Sequence, residues 1–147
     1  MRVNQILSAK RSHVVHVSPS ESIGAAIGLM KSEHVGSVLV LDEGRRLVGV
    51  VSERDVVHGL VSDPIGLLGR AVIDIAHKAV PIASLQDTVQ SVMEVMTTTH
   101  IRHVPVVEYG QVVGVVSIGD IVKSRLDEKT QENAVLQEIA RAQFVAR

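Results

Sequence analysis

The sequence contains no cysteine and no tryptophan, and its aromatic residues are limited to Tyr109 and Phe144. Without cysteine there is no disulfide framework, no thiolate metal site and no cysteine nucleophile. Proteins that bind single-stranded nucleic acid stack bases on aromatic side chains, so a chain with 1% aromatic residues is a poor candidate for that class. The core must therefore be built from Val, Ile, Leu, Ala and Met.

The sequence also lacks an excess of basic over acidic residues, or of acidic over basic ones. The 147 residues carry 15 Lys and Arg against 16 Asp and Glu, a formal net charge of −1, whereas proteins that bind nucleic acid usually have a basic excess. No apolar run approaches the roughly 18 residues that a membrane span needs, and the first residues show no signal-peptide pattern. We therefore expect a cytoplasmic protein with no nucleic-acid and no membrane partner.

Two copies of one unit fill most of the chain. At a constant offset the copies share residue type at several pairs, which include Ser18 and Ser84, Met30 and Met96, His34 and His100, and Gly44 and Gly110. One extra residue at Arg45-Arg46 then shifts the offset, after which segment 48–52 matches 113–117 and Asp55 matches Asp120. Because two copies are too few for a solenoid, we expect them to pack against each other about a pseudo-twofold axis.

Each copy predicts the same order of elements, strand, helix, strand, strand, helix, and thus an α/β fold. The leading strands are predicted at 14–17 and 79–83, the first helices after the polar segments 18–22 and 84–88, and the paired strands at 35–41 with 47–51 and at 101–107 with 112–116. The closing helices are predicted to begin near Asp55 and Asp120. The linker between the copies, 58–74, is broken by three glycines and a proline.

The C-terminal tail is rich in Glu, Gln, Ala, Lys and Arg, with an intermittent apolar face formed by Leu126, Leu136, Ile139 and Phe144. We predict a helix there that docks on the paired copies or on a partner chain. The domain organisation predicted from these patterns is a first unit at 1–70, a second at 71–125 and a helical tail at 126–147.

One motif follows the third strand of both copies, Gly-x-x-Ser-x-x-Asp, at Gly49-Val50-Val51-Ser52-Glu53-Arg54-Asp55 and Gly114-Val115-Val116-Ser117-Ile118-Gly119-Asp120. Glycine lets the backbone approach a ligand closely, the free N–H groups of a strand-to-helix corner favour anions, and an acceptor-only carboxylate suits a ribose diol. The same Ser-x-x-Asp spacing is also a capping box that only starts a helix. Both interpretations stay open at this stage.

These motifs, together with Ile101-Arg102-His103-Val104-Pro105-Val106-Val107, resemble the CBS domain, named after cystathionine beta-synthase, over about residues 1–125. Two CBS domains in tandem form a Bateman module, and the chain resembles small stand-alone bacterial CBS-pair proteins. The resemblance implies a non-catalytic regulatory protein that binds an adenine nucleotide between its domains, AMP before ADP or ATP, and senses energy or redox state. It also implies a homodimer and an unidentified protein partner.

The resemblance assigns roles to individual residues. Asp55 and Asp120 would hold ribose, and Ser52, Ser117, Arg54, Arg102 and His103 would serve the phosphates or the corners beneath them. Aliphatic walls for the base are expected at Val35, Ile101 and Pro105, with backbone groups near Val15 and Val80 reading the adenine edge. Related proteins often carry Met-Thr in the linker, where this chain has Ala76-His77. Because copy one has Gly36-Ser37 where copy two has Arg102-His103, we expect two chemically unequal clefts.

Other functions find less support. His13 with His16 and His100 with His103 have a spacing that could pair imidazoles, but no third ligand completes a metal site, so no metal is predicted. The Gly-x-Ser-x-Gly, Gly-x-Gly-x-x-Gly and phosphate-loop motifs of enzymes are absent. Two alternatives remain, a module that binds NAD(H) or S-adenosylmethionine, and a ligand-free dimerisation or interaction protein.

Overall fold

The computed structural model describes residues 1–10 and 13–145, with side chains through residue 143. Its helices are α1 (Val3–Ala9), α2 (Ile23–Glu33), α3 (Glu53–Ser62), α4 (Val89–Thr99) and α5 (Ile118–Val145), and two short 3₁₀ helices span Leu67–Gly69 and Val72–Asp74. The strands are β1 (His16–Val17), β2 (Ser37–Leu41), β3 (Leu47–Ser52), β4 (His103–Glu108) and β5 (Gln111–Ser117). The predicted α/β fold class is confirmed.

Each copy forms its own small sheet. In copy one β1 pairs parallel with β2, which pairs antiparallel with β3; in copy two β4 and β5 are antiparallel. Both leading strands are shorter than predicted, and that of copy two is reduced to one parallel bridge between Ala83 and Val106. Pro81 offers a physical reason in copy two, because proline has no N–H to donate to a neighbouring strand.

The first helix of each copy begins and ends for local reasons. Ser22 and Thr88 accept a hydrogen bond from the backbone N–H three residues further on, at 3.0 and 3.1 Å, which satisfies a free donor of the first turn. His34 and His100 end α2 and α4 in the left-handed conformation, with φ of 55° and 59°. The repeated sequence thus produces the same pair of caps twice.

The segments that precede the two copies exchange places. Helix α1, which the sequence did not predict, buries Val3 and Ile6 in the core of copy two, and Val3 N donates to Asp87 O at 2.9 Å. In the same way Val72 is buried in the core of copy one, and its N–H donates to Glu21 O at 2.9 Å. We call 1–10 and 70–78 the crossing segments, because each leads into one copy while it docks on the other.

A third apolar cluster joins the two copies. Leu39 and Leu41 from β2 are buried together with Val112 from β5, and the half-buried residues Val50 and Val115 pack against them. Strand β3 of copy one and strand β5 of copy two are equivalent in the repeat, so this cluster lies where the two sheets face each other. A cavity between the copies opens beside it and is lined in part by Leu39 and Val115.

The predicted tail helix is not a separate element, because α5 continues without a break from the end of β5. Ile121 and Ser124 are buried near its start, whereas residues 125–143 are all exposed. The side chain of Phe144 lies outside the described residues. No helix in the described part of the chain is long and apolar enough to cross a membrane.

Candidate functional site

The Ser-x-x-Asp corner of copy two lies between β5 and α5. Ser117 N donates to Asp120 Oδ2 at 2.9 Å, and Asp120 N donates to Ser117 Oγ at 3.1 Å. The capping-box interpretation of the motif is therefore confirmed at this corner. The first hydrogen bond orients the Asp120 carboxylate, and the second fixes the Asp120 backbone at the start of the helix.

The corner of copy one repeats this arrangement. Ser52 donates to Asp55 Oδ2 from its backbone N and its Oγ, both at 2.8 Å, and Asp55 N donates to Ser52 Oγ at 3.3 Å. Capping occupies only one oxygen of each carboxylate, Oδ2, and Ser does not contact Oδ1.

A lysine from the crossing segment reaches the Asp120 corner. Lys10 Nζ lies 2.7 Å from Asp120 Oδ2 and donates to Val115 O at 2.8 Å. Burial alone would raise the pKa of Asp120, but hydrogen bonds from Lys10 and Ser117, together with the Lys10 charge, hold that pKa below its ordinary value. Asp120 is therefore a carboxylate anion at neutral pH.

The other crossing segment places His77 at the Asp55 corner. His77 Nε2 contacts Asp55 Oδ1, and the His77 backbone is fixed to β3 by two hydrogen bonds of 2.9 Å, one from its N–H to Val50 O and one from Val50 N–H to its own O. The His77 side chain is 67% exposed and that of Asp55 only 9%. Asp55 is thus covered by a ring that itself borders solvent.

A cavity of about 280 Å³ opens between the copies beside Asp120, close to the lower limit of about 300 Å³ for small-molecule sites. It brings together five of the residues that the sequence assigned to binding: Val15, Val35, His103, Ser117 and Asp120. Copy one supplies the apolar wall, and copy two supplies the corner with its carboxylate. We call this space the Asp120 cleft.

Cationic and ionisable groups surround the Asp120 cleft. Lys10, His13 and His103 line it together with Glu33, and His13 Nε2 lies 3.3 Å from Glu33 Oε1. Burial lowers the pKa of His103, and the positive charge of Lys10 lowers it further. Both effects favour the uncharged ring of His103, whereas a nearby anion would favour the protonated ring.

The remaining predicted residues do not line this cavity. The repeat relates Ser52 and Asp55 to Ser117 and Asp120, and it relates Ile101 and Pro105 to Val35 and Leu39. The repeat therefore predicts that these four residues border a second cleft, the Asp55 cleft, and it matches Val80 with Val14, the neighbour of Val15.

The side chains of this second group differ in exposure. Pro105 is buried in β4 and Val80 is half-buried, whereas Arg54 and Arg102 are exposed. The role of all these residues in binding stays a prediction.

The sequence did not point to Lys10 or to the contact of His77 with Asp55. Both residues lie on crossing segments, and nothing in their local pattern links them to a carboxylate more than 20 residues away. A usable signal exists, because extending the repeat toward the N-terminus at the same offset sets 4–10 against 70–76, so that the crossing segments overlap. Among the described residues no three His, Asp or Glu side chains gather as metal ligands.

Comparison with known families agrees with this architecture. The profile of the CBS domain matches the chain twice, over residues 3–62 and 72–127. The protein belongs to the CBS-domain family. The two matches coincide with the two copies, so the chain is a tandem CBS pair, and the resemblance seen in the sequence is confirmed.

Two relatives illustrate how far the CBS pair extends. A 17.7 kDa protein of Acidianus ambivalens is 30% identical over 132 residues, 89% of this chain and 77% of its own length. The crystal structure of a CBS-domain containing protein from Agrobacterium tumefaciens is 36% identical, with a TM-score of 0.77 over 85% of this chain and 99% of that one. Small proteins consisting of a CBS pair are thus among its neighbours.

A third neighbour was solved with a ligand. A CBS domain protein of Pyrobaculum aerophilum complexed with AMP is 29% identical, and its TM-score is 0.69 over 82% of this chain and 89% of that one. The fold of this CBS pair is therefore one in which a similar protein holds an adenine nucleotide.

Proposed function

We propose that this CBS pair is a regulatory module that binds an adenine nucleotide, AMP in the first place, in the Asp120 cleft. The observation that carries the proposal is the joining, in one cavity, of a fixed carboxylate, a lysine and two histidines with an aliphatic wall from the other copy. AMP bound to a similar protein supports the choice of ligand.

Different residues of the Asp120 cleft are suited to the base, the ribose and the phosphate of the nucleotide. Val15, Val35 and Leu39 offer an apolar wall for the purine, and Asp120 accepts hydrogen bonds from the ribose hydroxyls. Lys10 and His103 supply positive charge for the phosphate, where charge-assisted hydrogen bonds are stronger than neutral ones. None of these groups converts the nucleotide, so the proposed role is sensing.

Regulation requires that the nucleotide bind two conformations with different affinity. Because the cleft lies between the copies and includes Lys10 of a crossing segment, the ligand contacts both halves at once. We propose that this changes the surface offered to a second copy of the chain, in a homodimer, or to a protein partner in the cytoplasm.

Calorimetry with AMP, ATP, NADH and S-adenosylmethionine tests the proposal. We expect AMP to bind and to compete with ATP for the same cleft. Because the chain has one tyrosine and no tryptophan, a purine carried through purification would dominate the near-ultraviolet spectrum and can be named by mass spectrometry. Tighter binding of NADH or S-adenosylmethionine would replace the proposed ligand, and no binding of any of the four would leave an interaction protein.

The pKa of His103 gives an independent readout. Its value in the free protein should lie below that of an ordinary histidine, because burial and Lys10 disfavour the charged ring. The phosphate of bound AMP should raise the pKa of His103, because a nearby negative charge favours the protonated ring. Histidine NMR titrations with and without AMP measure both values. An unchanged His103 pKa in the saturated protein would place the phosphate elsewhere.

A further inference from the structure

The two carboxylates of the CBS pair are not equally available to a ligand. At Asp120 the hydrogen bonds from Ser117 N and Lys10 Nζ both end on Oδ2. At Asp55 the Ser52 contacts end on Oδ2, while His77 Nε2 contacts Oδ1. A ribose hydroxyl can therefore approach Oδ1 of Asp120 with Lys10 in place, whereas at Asp55 it meets the His77 ring.

The two carboxylates also differ in their exposure to solvent. The Asp120 side chain is 21% exposed and lines an open cavity, while Asp55 is 9% exposed beneath His77. His77 itself is 67% exposed, so its ring can swing into solvent without crossing a packed core. Its backbone stays paired with Val50 when it does so. The side chain can thus move while the crossing segment remains docked.

We propose that His77 gates the Asp55 cleft, so that AMP fills the Asp120 cleft first and enters the second cleft only when the His77 ring leaves Asp55. The proposal rests on the proposed function, since it concerns where and when the same nucleotide binds. A protonated imidazole makes a charge-assisted contact with Asp55 that competes with ribose, and a neutral imidazole makes a weaker one. Imidazole changes charge between about pH 5 and 8, whereas a lysine ammonium stays charged throughout that range.

The groups around His77 make this gate specific. Within ion-pair distance, among the described residues, Asp55 of α3 is the charged partner of the ring. Strand β3 contacts the crossing segment through the backbone of Val50 and through Gly49, whose missing Cβ leaves room for the His77 carbonyl. Lys78, next to His77, is exposed. The other imidazoles near a cleft, His13 and His103, line the Asp120 side.

An amide NMR titration with AMP resolves the two clefts. Ser117 N–H and Ser52 N–H each donate to the carboxylate of their own cleft, so the midpoint of each shift reports one site. At about pH 6 we expect the Ser117 amide to respond at low AMP and the Ser52 amide only at much higher AMP. At about pH 8, where imidazole is neutral, the Ser52 midpoint should fall several-fold.

Variants of His77 separate charge from contact. His77→Ala should give the low Ser52 midpoint at both pH values, and His77→Lys, which keeps a charge throughout, the high midpoint at both. His58→Ala is the matched control, since His58 is an exposed histidine on the same helix as Asp55, and it should behave like the wild type.

Two results would overturn the gate. One is a Ser52 midpoint at about pH 8 that is the same in the wild type and in His77→Lys, and the other is weaker binding at the Asp55 cleft in His77→Ala, which would make His77 a ligand contact. These results differ from a failure of the proposed function, in which neither amide responds to AMP in any variant. That last outcome would contradict both the proposed nucleotide binding and the proposed gate.

Discussion

Replacing Asp120 with asparagine is expected to weaken AMP binding to the Asp120 cleft by about 10- to 150-fold, because a hydrogen bond to a charged group contributes roughly 1.5–3 kcal/mol. Asparagine keeps an oxygen for the Ser117 N–H, so the helix cap is largely retained. It removes the negative charge that pairs with Lys10 and that we propose holds the ribose hydroxyls. Calorimetry at neutral pH measures the change.

The ribose contact can be isolated from the phosphate. A 2′,3′-dideoxy analogue of AMP should bind the wild type about as weakly as AMP binds the Asp120→Asn variant, and the variant should not distinguish the two ligands. Asp127→Asn is the matched control, since Asp127 lies on the same helix but does not line the cleft. If the wild type bound the dideoxy analogue as tightly as AMP, Asp120 would not hold ribose.

Gly49→Ala is expected to lower the free energy of unfolding by about 1–3 kcal/mol, the usual cost of overpacking a filled site. A Cβ at this position would lie 2.8 Å from His77 O and 3.0 Å from Ala76 Cβ. The carbonyl cannot yield alone, because it accepts a hydrogen bond from Val50. Each kcal/mol should lower Tm by about 2–4 °C in a domain of this size.

Gly114 is the matched control for this substitution, because it occupies the same position in copy two. There a Cβ would meet the methyl groups of Leu7 at 2.8 and 2.9 Å, the far end of a flexible side chain that can change rotamer. Gly114→Ala should therefore cost less than Gly49→Ala in urea or thermal unfolding. Equal costs would show that the His77 backbone is free to shift.

Much of the fold could be predicted because it is encoded locally and twice. The polar caps at Ser22 and Thr88, the β-branched strands and the Ser-x-x-Asp corners all depend on residues within a few positions of one another. The leading strand of copy two was predicted too long, because segment 79–83 contains Pro81, which cannot donate to a neighbouring strand, and only one bridge forms, at Ala83.

The crossing segments could not be predicted in this way. Helix α1 has seven residues, too few for a stable helix in isolation, so it forms because Val3 and Ile6 are buried in the other copy. The positions of Lys10 and His77 follow from that docking and not from their neighbours in sequence. The sequence therefore predicted the carboxylate of each corner, but it did not predict the residue that contacts that carboxylate, Lys10 at Asp120 and His77 at Asp55.

The exchange of crossing segments also has a consequence for folding. Copy one is completed by Val72 and copy two by Val3, so each half takes a piece of its interior from the chain that leads into its sibling. Neither copy forms a complete hydrophobic core from its own strands and helices. We therefore expect the pair to unfold as a single cooperative unit, and a change at one Ser-x-x-Asp corner to affect the packing around the other.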